Sequence, residues 1–145
     1  MSENKDLQLA SELRTVVTRL IKKLRKQSVT GQQLSLTERS VLALLSQQRS
    51  LQPSELASME KITNQSMSQI LSHLMELGFI NRTASDTDKR KVLISLTEEG
   101  EKTILKVRSE RDEWLAKAIK ISYTKEEEAL LKQAVGLLTR LVDFE

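Results

Sequence analysis

The chain contains no cysteine, which excludes disulfides, thiolate redox chemistry and cysteine-based zinc sites. It has a single histidine, His73, so neither a histidine metal cluster nor a histidine-based triad can be assembled. One proline and four glycines leave few breaks, and aromatic residues make up only 3%. That scarcity favours helices over a β-sandwich. No apolar run approaches the ~18 residues of a membrane span. The segment Met1–Asp6 is polar and lacks the apolar stretch of a signal peptide. A soluble cytoplasmic protein without a membrane partner is expected. There is no glycine-rich phosphate loop and no G-x-S-x-G. Carboxylate pairs such as Glu126 and Glu128 sit at a helix start, where compensation of the helix dipole accounts for them. Neither an enzyme nor a cofactor is expected.

What is present is one domain's worth of chain, 145 residues with 39% hydrophobic content and a net charge of +3. The charge distribution says more than its sum. Lys5, Arg14, Arg19, Lys22, Lys23, Arg25 and Lys26 face only Asp6 and Glu12 between residues 5 and 30. A second cluster, Lys89-Arg90-Lys91, follows Asp86 and Asp88. From Glu98 onward both signs mix, as on solvated helix faces.

Leu13, Val16, Val17, Leu20, Ile21 and Leu24 keep helical spacing, which predicts a long amphipathic helix over residues ~5–28, interrupted by Gly31. Ser35 and Glu38 match a capping box, with Thr37 as a rival N-cap, and open a short helix through Val41–Leu45. Residues 49–52 read as a short extended piece. Pro53 suits the first turn of the next helix, since its missing N–H is not needed there. A further helix follows almost at once, with Ile70, Leu71, Leu74 and Leu77 as its buried stripe and Gly78 as its stop. Two short helices joined by a tight turn form a helix-turn-helix. Residues 79–84 and 92–96 then read as a β-hairpin, with the charged cluster at its tip. That order predicts a winged helix. Thr97 caps the next helix, which runs through Trp114 to about Ile121. Thr124 and Glu127 open the last one, with Leu130, Leu131, Leu137, Leu138 and Leu141 along it. The expected fold is mostly α with a small β-hairpin: a winged helix-turn-helix plus a helical dimerisation region.

The second helix of the helix-turn-helix begins with Thr63, Asn64, Gln65, Ser66, Ser68 and Gln69, short hydrogen-bonding side chains without charge. Such a helix fits the DNA major groove, where Asn and Gln pair bidentately with adenine. An ordinary polar face would look similar, and the absence of Lys and Arg from residues 62–77 counts against DNA unless cations are supplied elsewhere. The hairpin tip can supply them. Arg is favoured in a narrow minor groove, and Asp86, four residues from Arg90, could hold the guanidinium in a set direction. A plain surface ion pair is the alternative. Lys89 and Lys91 would meet neighbouring phosphates. Thr37, Thr63 and His73 are candidate phosphate contacts, with a solvated helix position as the competing reading of His73.

The stretch "DTDKRKVLISLTEEG" resembles the wing signature of the MarR family of winged-helix transcriptional regulators, through Asp86, Asp88, Arg90, Leu96, Thr97 and Gly100. "LASMEKITNQSMSQILSHLMELGFI" resembles that family's helix-turn-helix. The resemblance covers essentially the whole chain. It implies a homodimeric regulator, a probable repressor, on a palindromic stretch of double-stranded DNA. It implies base contacts from Gln65, Ser66 and Gln69, with Asn64 beside them, and a minor-groove Arg90 held by Asp86. It implies phosphate contacts at Pro53 and Ser54. Many members carry Asp-Arg where this chain has Ser72 and His73. The resemblance assigns residues 1–34 and 98–145 to a helical dimerisation region and 35–97 to the DNA-binding domain. The terminal helices also carry apolar stripes longer than a small winged helix can cover, which implies a second copy. Trp114 and Tyr123 are expected in core or dimer packing, or lining a pocket for a small-molecule effector of unknown identity. A protein-interaction module that has lost DNA binding, and an RNA-binding winged helix, are the competing functions.

Overall fold

A computed structural model describes residues 2–145. Among them, six α-helices and three strands follow in the order α1 (Ser2–Lys26), a 3-10 turn (Thr30–Gln33), α2 (Leu36–Gln48), β1 (Ser50–Leu51), α3 (Pro53–Glu60), α4 (Asn64–Glu76), β2 (Ile80–Ala84), β3 (Val92–Leu96), α5 (Glu98–Ser122) and α6 (Lys125–Val142).

Local chemistry explains most boundaries. Ser35 accepts the Glu38 N–H at 3.1 Å, while the Glu38 carboxylate accepts the Ser35 N–H at 2.8 Å, so Ser35 rather than Thr37 is the cap of α2. The same reciprocal box opens α6 through Thr124 and Glu127. Pro53 is the first residue of α3. Gly78 follows the end of α4 with φ of 80°, the left-handed conformation that favours glycine.

Gly31 acts differently from the expected helix interruption. α1 already ends at Lys26, and Gly31 lies buried in the 3-10 turn. A Cβ there would lie 2.9 Å from the guanidinium of Arg39. Arg39 is itself buried and donates to the Gly31 carbonyl through both Nε and Nη2. The glycine thus makes room for the close approach of an arginine from α2.

The sheet has the order β1-β3-β2 and is antiparallel throughout. Ala84 faces Val92 next to the turn of the hairpin, and Ile80 faces Leu96 at its open end. β1 pairs Leu51 with Ile94. The core lies between this sheet and helices α2, α3, α4 and the start of α5. Leu42, Leu45, Leu56, Met67, Leu74, Ile94 and Ile104 are fully buried in it. Packing of this kind pins α4 against α2, α3 and the hairpin and leaves its polar side outward.

The terminal helices contrast sharply with this core. Neither α1 nor α6 has a buried residue. Leu130, Leu137 and Leu141 of α6 are 64%, 59% and 60% exposed. Val16, Leu20 and Ile21 of α1 are exposed as well.

Candidate nucleic-acid interface

The candidate surface is built on α4. Met67, Leu71 and Leu74 turn inward, and Asn64, Gln65, Ser66, Ser68, Gln69, Ser72 and His73 remain exposed. Gln65, Gln69 and His73 follow one another at intervals of four, so they form one row along the helix. Thr63 caps α4: its hydroxyl accepts the Ser66 N–H at 3.1 Å and donates to the Ser66 hydroxyl at 3.0 Å. Both hydroxyls are therefore oriented by the helix start, and the face presents preset donors and acceptors. Ser54 is exposed in the first turn of α3, and Pro53 is half-buried beside it. Thr37 is half-buried in the first turn of α2.

His73 has a partner that neither reading of it as an isolated position supplied. Its Nδ1 is bonded to Glu38 Oε2. The His73 side chain is 46% exposed and that of Glu38 only 9%. Burial pushes the Glu38 carboxyl upward, but the Ser35 N–H and the hydrogen bond and charge of His73 outweigh it, leaving the carboxyl below its ordinary value. The hydrogen bond to Glu38, then its charge, hold the His73 imidazole above its ordinary value, with Glu76 adding to the effect.

At the hairpin tip the structure corrects the expected pairing. Asp86 is exposed and is not the partner of Arg90. Asp88 is: its Oδ1 accepts the Arg90 N–H at 3.1 Å and stands 3.4 Å from Arg90 Nε. Asp88 also offers its carbonyl to the Lys91 N–H at 3.0 Å. A carboxylate that accepts the backbone N–H two residues on closes an Asx-turn. The tight turn therefore favours the nearer aspartate over one four residues away. The Arg90 side chain is 92% exposed, so it projects from the tip. Lys89 and Lys91 are exposed on either side of it.

Arg82 was not singled out from the sequence. It lies on β2, opposite Ile94, and borders a groove with Pro53, Ser68 and Ser72. Strand periodicity alone would have flagged it as solvent-facing. Only the hairpin's seat against α4 puts its charge beside that helix.

Trp114 is half-buried on α5, whereas Tyr123 borders a surface depression with Glu127, Leu130, Leu131 and Ala134. Among the described residues no group of His, Asp and Glu could hold a metal ion, and no helix is long and apolar enough to cross a membrane.

A helix-turn-helix completed by a β-hairpin wing, with a polar exposed second helix, defines the winged-helix class. A family model described as MarR family matches residues 34–92. An HTH-type transcriptional regulator from Mycobacterium tuberculosis is 33% identical over 138 residues, covering 95% of each chain. The chain belongs to the MarR family of transcriptional regulators. A solved protein from Pseudomonas aeruginosa, assigned as a transcriptional regulator, is 34% identical with a TM-score of 0.87, covering 98% of this chain and 99% of that one. The fold also matches an S. aureus MepR mutant bound to an oligodeoxyribonucleotide, with a TM-score of 0.70 at 18% identity over 92% of this chain and 97% of that one.

Proposed function

We propose that the protein is a homodimeric, cytoplasmic repressor that places α4 in the major groove and the hairpin tip in the minor groove of a palindromic operator. The observation that carries this reading is a division of labour between two neighbouring elements. The exposed side of α4 offers uncharged Asn64, Gln65, Ser66 and Gln69, while the hairpin carries the cations, with Arg82 beside α4 and Lys89, Arg90 and Lys91 at the exposed tip. Amide side chains discriminate bases, and cations neutralise phosphate without reading sequence. Thr37, Pro53, Ser54 and Thr63 lie at helix starts, where N–H groups and hydroxyls suit phosphate oxygens. Thr63 would contribute mainly through the cap it forms. Selection of bound sequences from random duplex DNA tests the reading. It should return an inverted repeat with half-sites about one helical turn apart, ~34 Å. A protein-interaction module would return none.

The two-fold arrangement rests on the uncovered apolar stripes of α1 and α6, which suit residues 1–34 and 98–145 to dimerisation and 35–97 to DNA binding. Light scattering at micromolar concentration should give twice the 16.5 kDa chain mass. A monodisperse particle of single-chain mass would exclude the dimer.

A further inference from the structure

The recognition helix carries no lysine or arginine between residues 62 and 77, and His73 is its one basic side chain. That residue is held from behind. Glu38 uses Oε1 to accept the Ser35 N–H and Oε2 to bond His73 Nδ1, so both carboxylate oxygens are engaged. With Nδ1 committed to a buried carboxylate, Nε2 is the ring nitrogen free to meet a ligand. His73 continues the row of Gln65 and Gln69, and it flanks the first turn of α2, where Thr37 lies.

We infer that Glu38 is a positioning residue that makes His73 a proton-dependent phosphate clamp, so that operator binding tightens as pH falls through the neutral range. This inference rests on the operator-binding reading above. With its Nδ1–H given to Glu38, a neutral imidazole leaves Nε2 as an unprotonated acceptor that has no proton to give a phosphate oxygen. An imidazolium held on Glu38 offers a charge-assisted N–H to a phosphate oxygen. Electrostatics around the ring supports the cationic form. Glu38 of α2 and Glu76 of α4 itself both favour it. On α3, Glu60 is bonded to Ser40, and Glu55 accepts the Gln52 N–H. Lys61 ends α3 in the left-handed region. Arg82 of β2 lies beside Ser68 and Ser72, on the other flank of α4 from His73. A phosphate placed at Nε2 adds a further negative charge and raises proton affinity again. Binding then takes up protons, and affinity must fall as pH rises past the midpoint of the free protein.

The chain's single histidine makes the test clean, because no other side chain ordinarily titrates between about pH 6 and pH 8.5 in a protein without cysteine. The full-length protein is titrated with its selected operator duplex across that range at fixed ionic strength. Wild type should lose about tenfold in affinity, equivalent to roughly half a unit of further shift at each of two histidines. His73→Gln should give a flat profile. Glu38→Gln should move the wild-type profile to lower pH, because glutamine can still close the capping box but lacks the charge. In the free protein, the one histidine ring signal in the NMR spectrum should titrate at lower pH in Glu38→Gln than in wild type. A flat wild-type profile, an equally steep His73→Gln profile, or an unmoved ring midpoint in Glu38→Gln would each overturn the inference. Binding that is pH-independent but operator-specific would leave the operator reading intact and sink only the clamp. Loss of duplex binding at every pH would remove both.

Discussion

Replacing Gly100 by alanine is expected to destabilise the folded protein by about 3 kcal/mol. An ideal Cβ at this position would stand 2.1 Å from the Phe79 carbonyl oxygen and 2.9 Å from its carbon. The obstacle is backbone and cannot rotate away. Nor can α5 lift off easily. The Thr97 N–H donates to the same Phe79 carbonyl at 3.0 Å, and the Thr97 hydroxyl accepts the Gly100 N–H at 3.0 Å while donating to Gly78 O at 2.6 Å. One threonine therefore ties the start of α5 to the end of α4. Alanine has a better helix propensity than glycine by about 1 kcal/mol, but the clash is the larger effect. Urea unfolding at matched protein concentration measures the difference. Stability equal to wild type would mean that α5 is not seated on the Phe79 carbonyl.

Arg90→Ala is expected to weaken operator binding by about one to two orders of magnitude and to lower the salt slope by about one unit for each wing engaged. Asp88 decides why. If the tip works only through its summed charge, Asp88→Ala should bind DNA more tightly, since it removes a negative charge. If Asp88 shapes the turn through the Arg90 N–H, its loss should weaken binding instead. The surface ion pair itself contributes little, under ~1 kcal/mol, so the effect expected of Asp88 is on where Arg90 projects. Asp86 is the internal control: it is exposed and lies outside that turn bond, so Asp86→Ala should bind slightly more tightly. Titration of all three variants at two salt concentrations separates these outcomes. Tighter binding by Asp88→Ala at both would reduce the wing to an ordinary charged loop.

The elements readable from the sequence were those set by neighbours a few residues apart. Ser35 with Glu38, Thr124 with Glu127, Pro53, Gly78 and the two hairpin strands all fall where short-range chemistry puts them. The partnerships that were not readable join distant positions or depend on a turn's geometry. Glu38 looked complete as a capping residue, yet its second oxygen serves His73, 35 residues away. Arg39 carries no local signal that sets it apart, yet it is buried on the Gly31 carbonyl. Asp86 and Asp88 are both within plausible reach of Arg90 in the linear chain, and only the turn chooses between them. Arg82 gains meaning from the packing of β2 against α4. In each case the residue types were visible, while the tertiary fold decided which of them meet.

The central claim is that α4 reads bases through its amide side chains, and parallel sequence selection tests it most directly. Wild type, Gln65→Ala and Gln69→Ala are each offered the same random duplex library. Wild type should recover one inverted repeat. Each variant should recover the same repeat with preference relaxed at one position per half-site, by about 1–3 kcal/mol for a lost bidentate contact. Binding to unrelated duplex should be nearly unchanged, because neither substitution removes charge. If both variants select the wild-type repeat with undiminished preference at every position, α4 is not reading bases through these glutamines and the account fails at its centre.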